Sequence, residues 1–140
     1  MSSLKRRVLA GVAGSIVAFS LGGCSMFGPP SYSDLEGDSE SAATLPEEVR
    51  SDGALNADTA HFVGDHEGTQ VWLSRGAEDD SVCIILAPME GSASVACASA
   101  GSELSATNRP ARFYVVPDGG QVPDDGENMR LSNNVYVISK

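Results

Sequence analysis

Five short segments rich in β-branched and aromatic residues lie between residues 56 and 140, and turn residues separate each one from the next. In chain order they read TQVWLSR, SVCIILA, ASVACAS, ARFYVVP and NVYVIS. Short runs of this kind, bounded by Gly, Pro, Asn, Asp or Ser, are typical of β-strands, and mostly short connections favour antiparallel neighbours. The pattern predicts a mainly β fold, an antiparallel meander of about five strands, with a small α+β domain as the alternative.

The segment SVCIILA carries apolar side chains on both faces of its predicted strand. Because successive side chains of a strand point to opposite faces, one face should carry Val82, Ile84 and Leu86. The other face should carry Cys83 and Ile85. A sheet that is apolar on both sides is curled, sandwiched or covered by the preceding segment, and the sequence leaves these three arrangements open.

The amino-terminal segment has the layout of a secretory signal peptide. Lys5, Arg6 and Arg7 form a basic region, and residues 8–21 carry no charge. A helix over these residues would be about 21 Å long, which is short of the roughly 30 Å hydrocarbon core of a bilayer. No charged stop-transfer patch follows, so the pattern favours a signal peptide over a retained transmembrane anchor.

The residues Leu21-Gly22-Gly23-Cys24 resemble the lipobox of bacterial lipoprotein precursors. The resemblance implies cleavage after Gly23 and a diacylglycerol on the Cys24 thiol, with palmitate as a typical acyl chain. Gly22 is a mild departure, since Ser or Ala is more usual there. The alternative is an ordinary secretory signal followed by a Cys24 that is incidental or disulfide-bonded. Since two acyl chains anchor a protein stably, we expect the protein on the extracytoplasmic face of the cell membrane, with the lipid on Cys24 as its membrane contact.

The chain contains three cysteines, an odd number that needs an explanation in an exported protein. With Cys24 assigned to lipid, the pair Cys83 and Cys97 remains, and a disulfide is the default for such a pair in an oxidising compartment. The intervening residues are enough for two half-strands and a turn, which would let the two cysteines face each other. A redox pair is the alternative, but the chain has no Cys-x-x-Cys motif. We therefore expect a structural disulfide.

The acidic residues all follow Cys24, and this changes the charge balance once the signal peptide is removed. The chain has 9 basic and 19 acidic residues; without the three basic residues of the signal, 6 − 19 leaves a net charge of −13. A surface of this sign repels phosphate backbones, so nucleic acid is not expected as a partner.

Residues 24–55 are predicted to form a lipidated, acidic, flexible linker between the signal peptide, 1–23, and the domain, 56–140. The stretch is rich in Ser, Gly, Pro and acidic residues and has few large apolar side chains, too few to offset the entropy of ordering it. Self-repulsion should extend it and lift the domain off the membrane. A short helix is compatible with Pro46–Arg50, and another helical turn with Ser102–Ser105.

Two polar clusters invite comparison with metal sites. The first cluster, His61, Asp65, His66 and Glu67, lacks the His-x3-His spacing of a helical site, so a solvated turn is the favoured interpretation. The second is an acidic loop that contains Asp118, Asp124, Asp125 and Glu127. Counted from Asp124, Met129 stands where an EF-hand requires Gly, and an ordinary charged turn is favoured over a calcium site. We predict no metal and no cofactor, although the sequence leaves a cation at the acidic loop open.

The sequence contains no Gly-x-Ser-x-Gly motif, and both of its histidines lie at the start of the domain, so no catalytic residue is predicted. The aromatic residues of the domain are interpreted as core in preference to a ligand platform. They are Phe62, Trp72, Phe113, Tyr114 and Tyr136.

The segments FVGDHEGTQVWLSR, VCIILAP, ARFYVVPDG and NNVYVIS resemble parts of small, uncharacterised exported or membrane-anchored proteins of actinobacteria. This resemblance covers about residues 61–140 and implies no particular chemistry. The most favoured function is a non-enzymatic protein-binding or accessory module of the cell envelope. A receptor for a small envelope ligand is the alternative, and an envelope hydrolase is less favoured.

Overall fold

The computed structural model describes residues 29–36, 44–109, 111–124 and 126–139. These residues form a 3-10 turn at Ser33–Leu35, a helix α1 at Glu47–Arg50 and eight strands. The strands are β1 (Leu55–His66), β2 (Thr69–Gly76), β3 (Ser81–Pro88), β4 (Ser94–Ser99), β5 (Leu104–Asn108), β6 (Ala111–Val115), β7 (Asn128–Arg130) and β8 (Val135–Ser139). Among the residues described, no helix is long and apolar enough to cross a membrane.

The strands form two antiparallel sheets of four, with the orders β1-β2-β3-β4 and β5-β6-β8-β7. The predicted mainly β, antiparallel fold is therefore confirmed, but the described residues contain eight strands where about five were predicted. The three strands that the sequence analysis missed, β1, β5 and β7, are all sheet edges. Their side chains are mostly half-exposed or exposed, so they lack the apolar signature of a strand. The predicted helical turn at Ser102–Ser105 is wrong, because β5 begins at Leu104.

The main core lies between the two sheets. The first sheet contributes buried side chains from β2 and β3, and the second contributes them from β5, β6 and β8. They are Val71, Leu73, Val82, Ile84, Leu86, Leu104, Ala111, Phe113, Val115, Val135 and Val137. The alternation predicted for β3 is therefore confirmed on this face, which is sandwiched against the second sheet.

The outer face of the first sheet is covered as well. Cys83 and Ile85 are buried there with Trp72, beneath Leu45 and Val49 from the segment that precedes β1. Both sandwiching and covering by the preceding segment therefore occur, one on each face of the sheet. The short helix expected near residues 46–50 is present as α1, with Pro46 at its N-cap position and acidic residues in its first turn.

Residues that precede residue 56 are packed against the strands. Tyr32, Leu45 and Val49 are 2%, 6% and 3% exposed, so the residues described at 29–36 and 44–54 belong to the packed unit. Composition suggested a linker here because large apolar side chains are sparse in this stretch. The few that are present nevertheless pack against the strands: Tyr32 joins the main core, and Leu45 and Val49 cover the outer face of the first sheet. The remaining residues assigned to the linker, 24–28 and 37–43, and the signal peptide lie outside the described residues.

Candidate functional site

Strand β4 is joined to β3 by the predicted disulfide. Cys83 and Cys97 are paired across the two strands and bonded, with their Cα atoms 4.1 Å apart. So short a separation identifies this as a non-hydrogen-bonded pair of the antiparallel ladder. The alternate residues of β4 therefore make the ladder hydrogen bonds to β3, and the disulfide at Cys97 adds a covalent link between the two strands.

The outer backbone of β4 has no strand partner within the described part of the chain, because β4 pairs with β3 alone. Val95 has the same ladder parity as Cys97, so the N–H and C=O groups of both residues point away from β3. We call these outward-facing groups the β4 edge. An added β-strand forms its main-chain hydrogen bonds with outward-facing groups of this kind.

The composition of β4 does not protect this edge. Its sequence, SVACAS, contains no charged residue and no proline. Edge strands are usually protected from pairing by charges, prolines, bulges or short length. The opposite edge of the same sheet, β1, has two register irregularities and carries charged residues, and β7 is only three residues long. The β4 edge is thus regular and neutral where the β1 and β7 edges are interrupted or short; β5, the remaining edge, is also regular and uncharged but is one residue shorter.

Acidic side chains flank the β4 edge at both ends. Glu90 is exposed in the turn before β4, and the Glu48 carboxylate accepts a hydrogen bond of 3.0 Å from the N–H of Ala93. At the other end, the N–H of Ala100 donates to the carbonyl of Asp80 at 2.6 Å, which places the exposed acidic turn 78–80 beside the end of β4. A neutral strand with acidic ends favours an extended partner that carries basic residues.

A groove is lined by the turn between β4 and β5, by the end of β6 and by residues that follow β6. Tyr114, Pro117, Val122 and Pro123 are among the side chains that line its volume of about 570 Å³. Arg112 places its guanidinium carbon 5.1 Å from the centre of the Tyr114 ring. Of the aromatic residues that sequence analysis assigned to the core, Trp72 and Phe113 are buried at 1% exposure each. Tyr114 is buried as well, at 4% exposure, in a separate cluster with Val116 and Ile138, and it also lines the groove.

Asp118, which the sequence suggested as a cation ligand, accepts hydrogen bonds from groups of the protein itself. Its carboxylate accepts hydrogen bonds from the hydroxyls of Ser31 and Ser33 at 3.0 and 2.8 Å, and from the Ser33 N–H at 3.1 Å. The side-chain amide of Asn134 donates to it at 2.8 Å. Burial alone would raise the pKa of this carboxyl, but the bonds from Asn134, Ser33 and Ser31 outweigh it and hold the pKa below its ordinary value of 3.8.

Asp34, which lies in the amino-terminal segment, makes a matching set of hydrogen bonds to the turn before β8. Its carboxylate accepts from the Ser132 hydroxyl and from the backbone N–H groups of Asn133 and Asn134, the last at 2.8 Å. The Asp34 N–H in turn donates to the side-chain oxygen of Asn134 at 2.9 Å. Asn134 is fully buried and joins the two carboxylates. No local sequence pattern predicts this network, because nothing local in the chain pairs residue 34 with residue 134.

The histidine cluster is a hairpin turn. Glu67 and Gly68 have φ values of 46° and 80° and form the two-residue connection between β1 and β2, whose flanking pair is His66 and Thr69. The His66 ring packs edge-on against Phe113, with centroids 6.0 Å apart. His61 lies on β1 opposite Leu73.

Within the described ranges, no three His, Cys, Asp or Glu side chains are grouped to hold a metal ion. Asp125 and Cys24 lie outside those ranges, so what the sequence predicts for these two residues stays a prediction.

No protein-family model matches the chain, and searches of curated proteins and of solved structures found no significant match. The functional interpretation therefore depends on the geometry of the described residues.

Proposed function

We propose that this protein is a lipid-anchored, non-enzymatic module on the extracytoplasmic face of the cell membrane. It binds another envelope protein by accepting an extended segment of that protein along the β4 edge. The signal peptide and the lipobox-like residues before Cys24 support the location. The β4 edge is the observation that carries the binding role, because its outward backbone groups are regular, uncharged and open.

The disulfide prepares this edge for binding. A partner strand forms main-chain hydrogen bonds only where the edge already has an extended conformation, and an edge that frays on its own would have to be ordered at a cost in affinity. Cys83 and Cys97 tie the middle of β4 to β3, whose six central residues are buried. The bond therefore holds the edge in the conformation that a partner needs.

The acidic residues at the ends of β4 define the partner more closely. Glu90 at one end and the turn 78–80 at the other attract basic side chains that flank an extended segment. Binding of such a segment should weaken as the salt concentration rises, because exposed charges are screened over a Debye length of about 8 Å at physiological ionic strength.

The test removes one outward N–H from the edge. Val95→Pro deletes a donor that the β3 ladder does not use, whereas Val95→Thr keeps the donor and nearly the same shape and serves as the matched control. A photo-crosslinking residue in place of the exposed Ser99 reports the partner in native cells, and one in place of the exposed Glu127, next to β7, reports background.

We expect one protein band to be crosslinked from position 99 and not from position 127. Val95→Pro should reduce this band about tenfold, equivalent to about 1.4 kcal/mol, since an unsatisfied backbone group costs about 1–3 kcal/mol. Val95→Thr should leave it unchanged. The proposal is wrong if the folded Val95→Pro protein crosslinks as strongly as the Val95→Thr protein, or if position 99 gives no band of its own.

A receptor for a small envelope ligand is the second candidate, and the groove lined by Tyr114 and Val122 is the observation that favours it. Its volume of about 570 Å³ lies within the range of about 300–1,000 Å³ that is usual for ligand pockets. Filling it with Val122→Trp should abolish any rise in melting temperature caused by envelope small molecules. A ligand-induced rise that survives this substitution would place the ligand elsewhere.

A further inference from the structure

The segment that precedes the strands is fastened to one end of the sandwich. The Tyr32 ring is 2% exposed in the core between the sheets, and its hydroxyl accepts a hydrogen bond of 2.9 Å from the N–H of Gly101. Asp118 holds the two serines beside it, while Asp34 holds the turn before β8. We call Ser31–Leu35, bound in this way, the clasp.

Hydrogen bonds run in both directions between the clasp and the rest of the domain, so the clasp is part of the fold. The Asp118 N–H donates to the Ser31 carbonyl at 2.8 Å, and the Asp118 carboxylate accepts from Ser33. Asn134 donates to Asp118 and accepts from the Asp34 N–H. Each partner therefore supplies both donors and acceptors, and the buried amide of Asn134 is bonded at both its oxygen and its nitrogen.

The position of the clasp limits how far the domain can lie from a lipid on Cys24. Only residues 25–30 separate Cys24 from Ser31. A fully extended chain advances at most about 3.6 Å per residue, so these two residues are at most about 25 Å apart. A linker that ran freely to residue 55 would reach roughly 110 Å on the same basis. The clasp therefore removes most of the reach that composition suggested.

We propose that the clasp makes the end of the sandwich that carries Pro30 and Gly101 the surface that faces the bilayer. This inference depends on the lipid anchor in the proposed function and goes beyond it by orienting the domain. A depression of about 360 Å³ marks this end, lined by Pro, Gly, Ser and one acidic residue, Asp118, whose carboxylate is already bonded. The hairpin turns at Glu67–Gly68 and at Met89 belong to the opposite ends of the strands and face away from the membrane.

The exposed acidic turn 78–80 lies at the same end as Gly101, since the N–H of Ala100 donates to Asp80. Its charge opposes an anionic bilayer, so electrostatic attraction does not bring this face to the membrane. The short connection to Cys24 does, and the occupant of this face is the headgroup surface of the membrane that receives the lipid. Phosphatidylcholine vesicles supply that surface without the charge repulsion.

The test uses the natively lipidated protein, reconstituted in phosphatidylcholine vesicles that contain an energy-transfer acceptor lipid. A single added thiol is labelled with a donor dye, either at the membrane end by Ser102→Cys or at the far end by Met89→Cys; both positions are exposed. We expect stronger transfer from position 102 than from position 89. In the Asp34→Asn/Asp118→Asn protein, which weakens the clasp by removing both carboxylates, this difference should shrink.

Equal transfer from the two positions in the folded, lipidated protein, or stronger transfer from position 89, would overturn the orientation. This comparison does not require the double variant to fold. Mass spectrometry of the same preparation separates the two proposals. An unacylated Cys24 contradicts the anchor itself, whereas an acylated Cys24 with no difference between the dyes contradicts the orientation alone.

Discussion

The hydroxyl of Tyr32 accepts a hydrogen bond from the backbone N–H of Gly101, 69 residues further along the chain. It joins a segment with a linker-like composition to the turn between β4 and β5, and the two strands belong to different sheets. The ring itself fills space between the sheets. The residues before β1 therefore help to hold the two halves of the sandwich together.

The first prediction concerns this side chain. Tyr32→Ala should lower the free energy of unfolding by about 3–5 kcal/mol, because it leaves a cavity in the main core. Tyr32→Phe keeps the ring and loses one hydrogen bond, which is worth about 1 kcal/mol. Urea unfolding of both variants measures the two effects. A Tyr32→Ala protein as stable as Tyr32→Phe would show that the ring is not part of the core.

The second prediction concerns the domain boundary. A chain that begins at residue 56 lacks Tyr32, Leu45, Val49 and Leu55, all buried, and exposes both the main core and the outer face of the first sheet. We expect it to lack a cooperative thermal transition, whereas a chain that begins at residue 29 should melt cooperatively. Circular dichroism of the two chains is the measurement. A cooperative melt of the shorter chain at the same temperature would instead support a domain boundary at residue 56.

The third prediction concerns the pH dependence of stability. The pKa of Asp118 is lower in the folded protein than its ordinary value of 3.8, so the unfolded chain binds more protons in the acid range. The contribution of the Asp118 carboxylate to the free energy of unfolding is therefore fully present above about pH 5. This contribution is lost as the pH falls past 3.8 and through the lower pKa of the folded state.

Asp118→Asn should remove this part of the pH dependence and lower stability near neutral pH by about 1 kcal/mol. The exposed Asp79 provides a matched control, since Asp79→Asn changes the same charge outside the network. Urea unfolding from pH 2.5 to 7 makes the comparison. Identical pH profiles for the two variants would argue against a depressed pKa at Asp118.

The fourth prediction concerns the disulfide. Replacing both Cys83 and Cys97 with Ala should lower the free energy of unfolding by about 2–5 kcal/mol, as for native disulfides of small secreted domains. The bond constrains the unfolded chain and also holds β4 against β3. Thiol labelling of the exported protein before and after reduction tests whether the bond forms in cells. Free thiols at both positions before reduction would contradict a structural bond and reopen the redox alternative.

The fifth prediction concerns processing. If the lipobox-like residues function as such, the membrane-extracted protein begins at Cys24 and carries the added mass of its acyl chains. Mass spectrometry of the amino-terminal peptide is the measurement, and Cys24→Ser, which cannot be acylated, is the control. Release of unmodified soluble protein from native cells would contradict the anchor.

Four of the five strands that the sequence predicted, β2, β3, β6 and β8, have mostly buried side chains, whereas the fifth, β4, is an edge strand without a buried residue. The apolar alternation of SVCIILA placed Val82, Ile84 and Leu86 on one face and Cys83 and Ile85 on the other, and the structure buries both sets. The edge strand β1 gave a much weaker signal, because only Leu55 among its twelve residues is buried. An edge strand depends on backbone pairing with its neighbour, which side-chain periodicity does not report.

The sequence by itself determined the fold class and the pairing of the cysteines, because strand alternation and cysteine count are local or compositional signals. Only the tertiary structure decided that Tyr32 belongs to the core, that Asp34, Asp118 and Asn134 form one network, and that the backbone of β4 is left open. These features join residues that are far apart along the chain or depend on which strands become neighbours. Periodicity and composition within a short window carry no information about either, whereas folding brings the partners together through the burial of a shared core.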